Sequence, residues 1–273
     1  MEQHSHTVNE ILDKFMAEYV PTLAERTQKD YAYHVRTLRK WFGNRIANEL
    51  KPRDFRDFMA VVGRGKIQRN RQMAVLSCAF SLAVSPWYMM EQNPCRDVHR
   101  HPSKPRERYV TDEEYQAFKA TVPMRLQLAM ELALLTGQRQ GDILRLTWEK
   151  VDREAGRIRF RQSKTGKRLG VRITPAVAAV LDACRELETP GPHVIRKRNG
   201  FGYTSEGFRA IWQRYMRSWI SKGHERFTFH DIRAKSASDS ATIEAAYERL
   251  GHTSMAMTRR VYDRNEREVE PLR

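Results

Sequence analysis

The 273-residue chain carries 49 Lys and Arg against 33 Asp and Glu, a formal charge of +16. That excess points to a polyanionic partner, and nucleic acid fits it better than a membrane surface. No apolar run reaches the length of a membrane span, Met1 to Thr7 has no signal-peptide core, and three scattered cysteines exclude a disulfide framework or a zinc ribbon, so a reducing cytoplasm is expected.

Thr7-Val8-Asn9-Glu10 has capping-box spacing ahead of Ile11, Leu12, Phe15, Met16 and Tyr19, apolar at helical intervals, and Pro21 should end or kink that helix. A second helix is predicted from about Glu25 to Phe42, with Tyr31, Val35, Leu38 and Trp41 or Phe42 inward, and Gly43-Asn44 as its stop. Pro52 suits the first turn of a third helix carrying Phe55, Phe58, Met59 and Val62, which Gly63 and Gly65 should break. A fourth, from near Lys66, directs Met73, Leu76, Phe80 and Leu82 to the core. This gives an all-helical domain over residues 1–97. The edge on the fourth helix, Arg64, Lys66, Gln68, Arg69, Asn70 and Arg71, is a dense group of candidate DNA-backbone and base-edge readers, with Arg26 and Lys29 on the outer side of the second helix as further DNA contacts. An ordinary solvated basic face is the alternative for each of these residues.

Residues 98–109 alternate His99, Arg100, His101, Lys104, Arg106 and Arg108 with two prolines and lack apolar periodicity. An extended basic linker is expected, with Lys104 as a DNA-backbone contact. Residues 110–273 form the second domain. Thr111 to Glu114 is another capping box, and Met124 to Leu135 should be a buried central helix delivering Thr136-Gly137-Gln138-Arg139. An Arg just after a Gly turn at the exit of a core helix is placed rigidly, as a phosphate clamp requires. Asp142 follows three residues later. Arg157 to Arg161, with Ile158 and Phe160 inward, and Leu169 to Ile173 read as a hairpin whose turn carries Lys164 and Lys167. Helices are predicted from Pro175 and from Thr204 to Ile220. If residues 231–238 are helical, His230 and Arg233 face the same way, and Leu250-Gly251 is a helix end that puts His252 on a tight turn. Ser254 to Val261 is basic and helix-compatible, with Tyr262 at its end. The fold class is therefore mainly α with a small β-hairpin or sheet, an α+β chain of two domains.

Arg clamps phosphate oxygens, His moves protons or donates hydrogen bonds, and Tyr can attack phosphorus. Thr136-Gly137-Gln138-Arg139-Gln140-Gly141-Asp142, Ser163-Lys164-Thr165-Gly166, His230-Asp231-Ile232-Arg233, Leu250-Gly251-His252 and Tyr262 stand in one order along the chain. That set resembles the Arg-Lys-His-Arg-His-Tyr constellation of tyrosine recombinases, the phage-integrase family. The helices through Asn93-Pro94 resemble that family's core-binding domain, which clamps one side of the duplex and commonly closes its last helix with Asn-Pro. The resemblance implies catalytic roles for Arg139, Lys164, His230, Arg233, His252 and Tyr262, with Asp142 supporting the neighbouring Arg139 and Lys167 contacting the DNA backbone. It also implies double-stranded DNA as substrate and no metal or other cofactor. A homotetramer on two duplexes is expected, with a monomer allowed in the free state and accessory DNA-bending proteins as further partners. The chain is expected to begin at the core-binding domain, without the N-terminal arm-site domain of some phage integrases. Between Arg233 and His252 it departs from the family: Ala234 to Thr242 is rich in Ser, Ala and Asp where a Leu-rich helix is usual. A type IB-like nicking and closing enzyme, or an idle DNA-binding regulator on the same fold, are the other readings.

Overall fold

The computed structural model describes residues 5–60, 65–103, 106–252, 254–256, 258 and 264. The chain divides into two compact units, Met1–Lys104 and Pro105–Arg273.

In the first unit, α1 (Val8–Lys14) opens on the capping box: Thr7 N donates to the Glu10 carboxylate at 2.7 Å, and Glu10 N donates back to the Thr7 hydroxyl at 3.3 Å. A π-helical turn, Phe15–Tyr19, and a 3-10 turn at Pro21 finish that segment. Helix α2 (Glu25–Phe42) buries Val35, Leu38 and Phe42, whereas Trp41 is 47% exposed, so Phe42 is the inward member of the pair. A 3-10 turn begun by Pro52 leads into α3 (Arg56–Met59); Val62, Gly63 and Arg64 lie outside the described residues. Gly65 is the first described residue of α4 (Gly65–Val84), which buries Met73, Leu76, Ala79 and Phe80 and leaves Leu82 half-buried.

Asn93-Pro94 does not close a helix. Helix α4 already stops at Val84, where Pro86 lacks the N–H needed to continue it. Asn93 lies in the turns beyond, and its Nδ2 donates back to Ser77 O at 2.9 Å and Ser81 Oγ at 2.8 Å. The connector is docked onto this unit as far as His101, whose backbone exchanges two hydrogen bonds with the Asn70 amide (2.8 and 3.0 Å). Asn70 therefore spends both ends of its side chain on the fold.

The second unit begins with α5 (Asp112–Thr121), again on a capping box, and α6 (Met124–Thr136), whose Leu126, Leu128, Ala129, Met130, Leu132 and Ala133 are buried. Gly137, at φ +65°, ends α6 in the left-handed conformation that a side chain disfavours. After α7 (Gln140–Leu144) come β1 (Val151–Asp152), β2 (Arg157–Arg161) and β3 (Arg168–Arg172), an antiparallel sheet in that order. The hairpin pairs Ile158 with Val171 and Phe160 with Leu169, and β2 alternates buried Ile158 and Phe160 with exposed arginines. Helices α8 (Pro175–Arg185), α9 (Ser205–Ser221), α10 (Phe229–Ser238) and α11 (Ile243–Leu250) complete the unit. Edge-on contacts of Phe118 with Trp219 and Phe227, and of Trp212 with Phe229, at 5.0–5.5 Å, fix α9 and the start of α10 against α5.

The weakly apolar stretch after Arg233 packs in its own way. Ala234, Ser236 and Ala237 are buried and small, which brings α10 close to its neighbours. Lys235 is buried between them, and its ammonium reaches Asp112 at 2.8 Å, Asp239 at 3.0 Å and the Tyr109 hydroxyl at 3.2 Å. Burial works to lower the pKa of Lys235, but these hydrogen bonds outweigh it and raise it. An ionic cluster thus stands in the stretch where the sequence departs from the family's usual Leu-rich helix. Among the described residues no helix is long and apolar enough to cross a membrane.

Candidate active site

Four separate stretches of sequence converge in the second unit. Arg139 is the residue before α7 and follows the left-handed Gly137 turn by two positions, so the end of a buried helix sets its place. It is half-buried, and among the described residues its guanidinium makes one hydrogen bond, from Nη1 to Gln162 Oε1 at 2.8 Å.

Arg233 sits on the inner face of α10 with only 1% exposure. Its Nη1 donates to Gly137 O, and its Nη2 donates to Leu250 O at 2.8 Å and meets His252 Nε2 at 2.9 Å. A guanidinium can only donate, so Nε2 accepts and the proton of neutral His252 is assigned to Nδ1, which lies 2.8 Å from the Thr258 hydroxyl. His252 is held on its turn by Gly251, the left-handed cap of α11 at φ +62°. Burial, then the charges of Arg233 and Arg139, lower its pKa to about 4. In this arrangement Nε2 is engaged with Arg233 and has no proton to give to a phosphate.

His230 occupies the first turn of α10 and keeps an exposed edge. Desolvation of its ring and the nearby Arg233 also lower its pKa to about 4, so it is neutral and able to accept a proton at physiological pH. Its neighbour Asp231 is buried. Burial alone would raise that carboxyl's pKa, but hydrogen bonds from Arg264 and Thr228 bring it below the usual range. Arg264 ties the far side of the site to α10: Nη1 reaches Asp231 Oδ1 at 2.8 Å, and its backbone N donates to Ser238 Oγ at 2.9 Å. Tyr262 lies outside the described residues, two positions before that anchor.

The hairpin supplies a lysine, and it is Lys167 that the fold brings in. Its Nζ donates to His252 O at 3.1 Å, whereas Lys164 is exposed in the turn. Asp142 does not hold Arg139. It sits in the first turn of α7 facing the hairpin, where Oδ1 accepts from Ser163 N at 2.9 Å and from Arg145 Nη2 at 3.0 Å. The residue that holds Arg139 is Gln162, which the motifs did not single out.

The expected DNA-contact residues of the first unit divide in two. Arg26, Lys66 and Arg71 are exposed. Lys29 is ion-paired with Glu25 at 2.7 Å, and the Arg69 guanidinium stacks 4.3 Å from the Phe58 ring centroid, which makes it partly a packing residue. Lys104 lies outside the described residues. Beside His230, a cleft lined in part by Trp212, Met216, Ile220 and Phe229 brings Gln140 of α7 together with Arg209, Gln213 and Arg217 of α9 and Arg226 of the loop after it. Their signal in the sequence was the basic and aromatic composition of α9.

Residues 109–268 match the model of the phage integrase family. The integrase of Escherichia phage HK022 is 26% identical over 281 aligned positions, covering 96% of this chain and 78% of that protein. The fold is similar to that of lambda integrase in a dimer bound to a COC′ core site, with a TM-score of 0.82 at 22% identity over 98% of this chain and 99% of that one. It is also similar to lambda integrase in a tetramer bound to a Holliday junction, with a TM-score of 0.80 at 22% identity over 98% of this chain and 81% of that one. With more than half of its length matched by the family model and its two arginines, two histidines and hairpin drawn into one site, the chain belongs to the phage integrase family, the tyrosine-type site-specific DNA recombinases.

Proposed function

We propose that this recombinase exchanges DNA strands through a 3′-phosphotyrosyl intermediate on Tyr262, with Arg139, Arg233, His230, His252 and Lys164 as its catalytic residues. The observation that carries this reading is the convergence of Arg139, Arg233, His230 and His252, from three separate stretches of the sequence, around one cationic site. Tyr262 attacks a scissile phosphodiester, the 5′-oxygen leaves as a hydroxyl, and a 5′-hydroxyl of a partner duplex reverses the step. The phosphotyrosyl link retains the bond energy.

Charge accumulating on the non-bridging oxygens is met by Arg139 and, as its backbone acceptors release it toward the phosphate, by Arg233. His230 accepts the tyrosine proton. Against a free tyrosine near 10, a histidine near 4 leaves a gap of about six units, or roughly 8 kcal/mol, so the proton moves only as the P–O bond forms. A bound phosphate offsets the arginine charges that depress both histidines and narrows that gap. His252, its pKa raised in the same way and its Nε2 released by Arg233, donates to a phosphate oxygen. Lys164 protonates the leaving oxygen from the exposed hairpin turn, and Lys167 holds the His252 turn. Arg26, Lys29, Lys66, Arg69, Arg71, Lys104 and the α9 cleft follow the duplex backbone, and four protomers act on two duplexes, a reading supported by the lambda integrase tetramer bound to a Holliday junction.

The test is a nicked suicide duplex carrying the target site. Tyr262→Phe should bind it as the wild type does yet form no SDS-resistant adduct, and the wild type should recombine two labelled duplexes. An adduct that persists in the Phe variant moves the nucleophile elsewhere.

A further inference from the structure

Gln162 lies just past β2 and is wholly buried, with 0% exposure. A primary amide offers two donors and two acceptor positions, and all four are used. Nε2 donates to Gln138 Oε1 at 2.9 Å and Leu250 O at 2.8 Å; Oε1 accepts from Arg139 Nη1 at 2.8 Å and Thr165 Oγ1 at 3.2 Å. The orientation of the amide follows from its partners, because a guanidinium only donates and a backbone carbonyl only accepts. The partners belong to the turn before α7, the hairpin turn and the end of α11, the three segments that carry Arg139, Lys164 and His252. Leu250 O also accepts from Arg233 Nη2 at 2.8 Å, so Arg233 meets directly the acceptor that Arg139 reaches through Gln162. Gly251 leaves room for this approach: a Cβ there would stand 2.9 Å from Gln162 Nε2.

We propose that Gln162 is the positioning residue of strand transfer, a neutral tether that fixes the Arg139 guanidinium without cancelling its charge. This rests on the reading of Arg139 as a phosphate clamp. A glutamate at this position would hold the same nitrogen, but as an ion pair that competes with the phosphate. It would also turn a lone pair toward Gln138 Oε1 and Leu250 O, each already an acceptor. A methionine would fill the volume and hold nothing. Only the amide satisfies two acceptors on one side and a cation on the other while leaving the cation's charge to the substrate.

The experiment uses the full chain and two suicide duplexes, one with an ordinary scissile phosphodiester and one with a methylphosphonate there. The methylphosphonate is neutral and has little charge for Arg139 to offset. Gln162→Met should bind the ordinary duplex with wild-type affinity but cleave it about 10²-fold more slowly, the scale of a misplaced or lost charge donor. On methylphosphonate its rate should return to that of the wild type, as should that of Arg139→Ala. Gln162→Glu should show the same pattern, and it decides the matter if the Met variant does not fold. An equal loss on both substrates means a structural role and overturns the proposal, as does wild-type cleavage of the ordinary duplex by both Gln162 variants. If Arg139→Ala itself cleaves ordinary DNA normally, the clamp reading fails first and separately.

Discussion

Acid should destabilise this protein through His252, by an amount the site's geometry sets. The side chain is 3% exposed, accepts from the permanently charged Arg233, and has its pKa lowered from 6.5 to about 4. Above pH 6.5 the imidazole is neutral in folded and unfolded chains alike and contributes no pH dependence. Between pH 6.5 and 4 the unfolded chain binds the proton and the folded one does not, so stability falls as pH falls. The interval of about 2.5 units at about 1.4 kcal/mol each puts the full loss near 3 kcal/mol at pH 4, or about 10 °C in Tm for a unit of this size. His252→Gln keeps an acceptor facing Arg233 and removes the titration. Urea unfolding of the wild type and the variant, followed by circular dichroism from pH 7 to 4.5, compares the two slopes. The variant should lose markedly less stability across that window, whatever its stability at pH 7. If both lines fall equally steeply, His252 is not a buried neutral acceptor for Arg233.

Two further outcomes are expected. Lys164→Ala should cleave an ordinary site more slowly by roughly 10² to 10⁴ and recover most of that rate with sulfur at the 5′-bridging position, because a thiolate leaves without a proton. Sulfur rescue of Lys167→Ala instead would move the acid to the lysine that bonds His252 O. Lys235→Met should lower stability by about 1–3 kcal/mol in urea unfolding, at the modest end for a buried ion because its partner Asp112 is 79% exposed and rehydrates readily; a change within 0.5 kcal/mol would mean that methionine packing compensates for the lost ion cluster.

Local chemistry made the elements legible: the capping boxes at Thr7 and Thr111 and the glycine ends at Gly137 and Gly251 stand where the sequence places them. Contacts between distant segments were not legible. Gln138 bonds Arg249 O across 111 residues, and Gln162 bonds Leu250 O across 88, and an amide carries no charge or motif to announce either. Helical periodicity could not separate Trp41 from Phe42, since adjacent positions straddle the edge of a buried face. The resemblance implied that Asp142 supports Arg139, but Arg139 precedes the helix while Asp142 is inside its first turn, and each bonds its own hairpin neighbour, Gln162 and Ser163.

The hairpin was more legible than its motif suggested. Residues two apart on a strand share a face, so Ile158 and Phe160 inward place Gln162 inward too, one step beyond the ladder. A buried polar side chain must find partners, and this one finds them in Gln138, Arg139, Thr165 and Leu250. Strand register settles the lysines in the same way. Arg161 pairs with Arg168, and Gln162 N donates to Lys167 O at 2.9 Å, which sets Lys167 opposite Gln162. Directly opposed residues point to the same face, so Lys167 follows Gln162 toward His252, while Lys164 projects from the turn between them. A lysine on the ladder is aimed by the sheet and one on the turn by whatever the turn meets. Arg139, Gln162 and Lys167 are therefore set by the fold itself, and Lys164 is exposed on the turn.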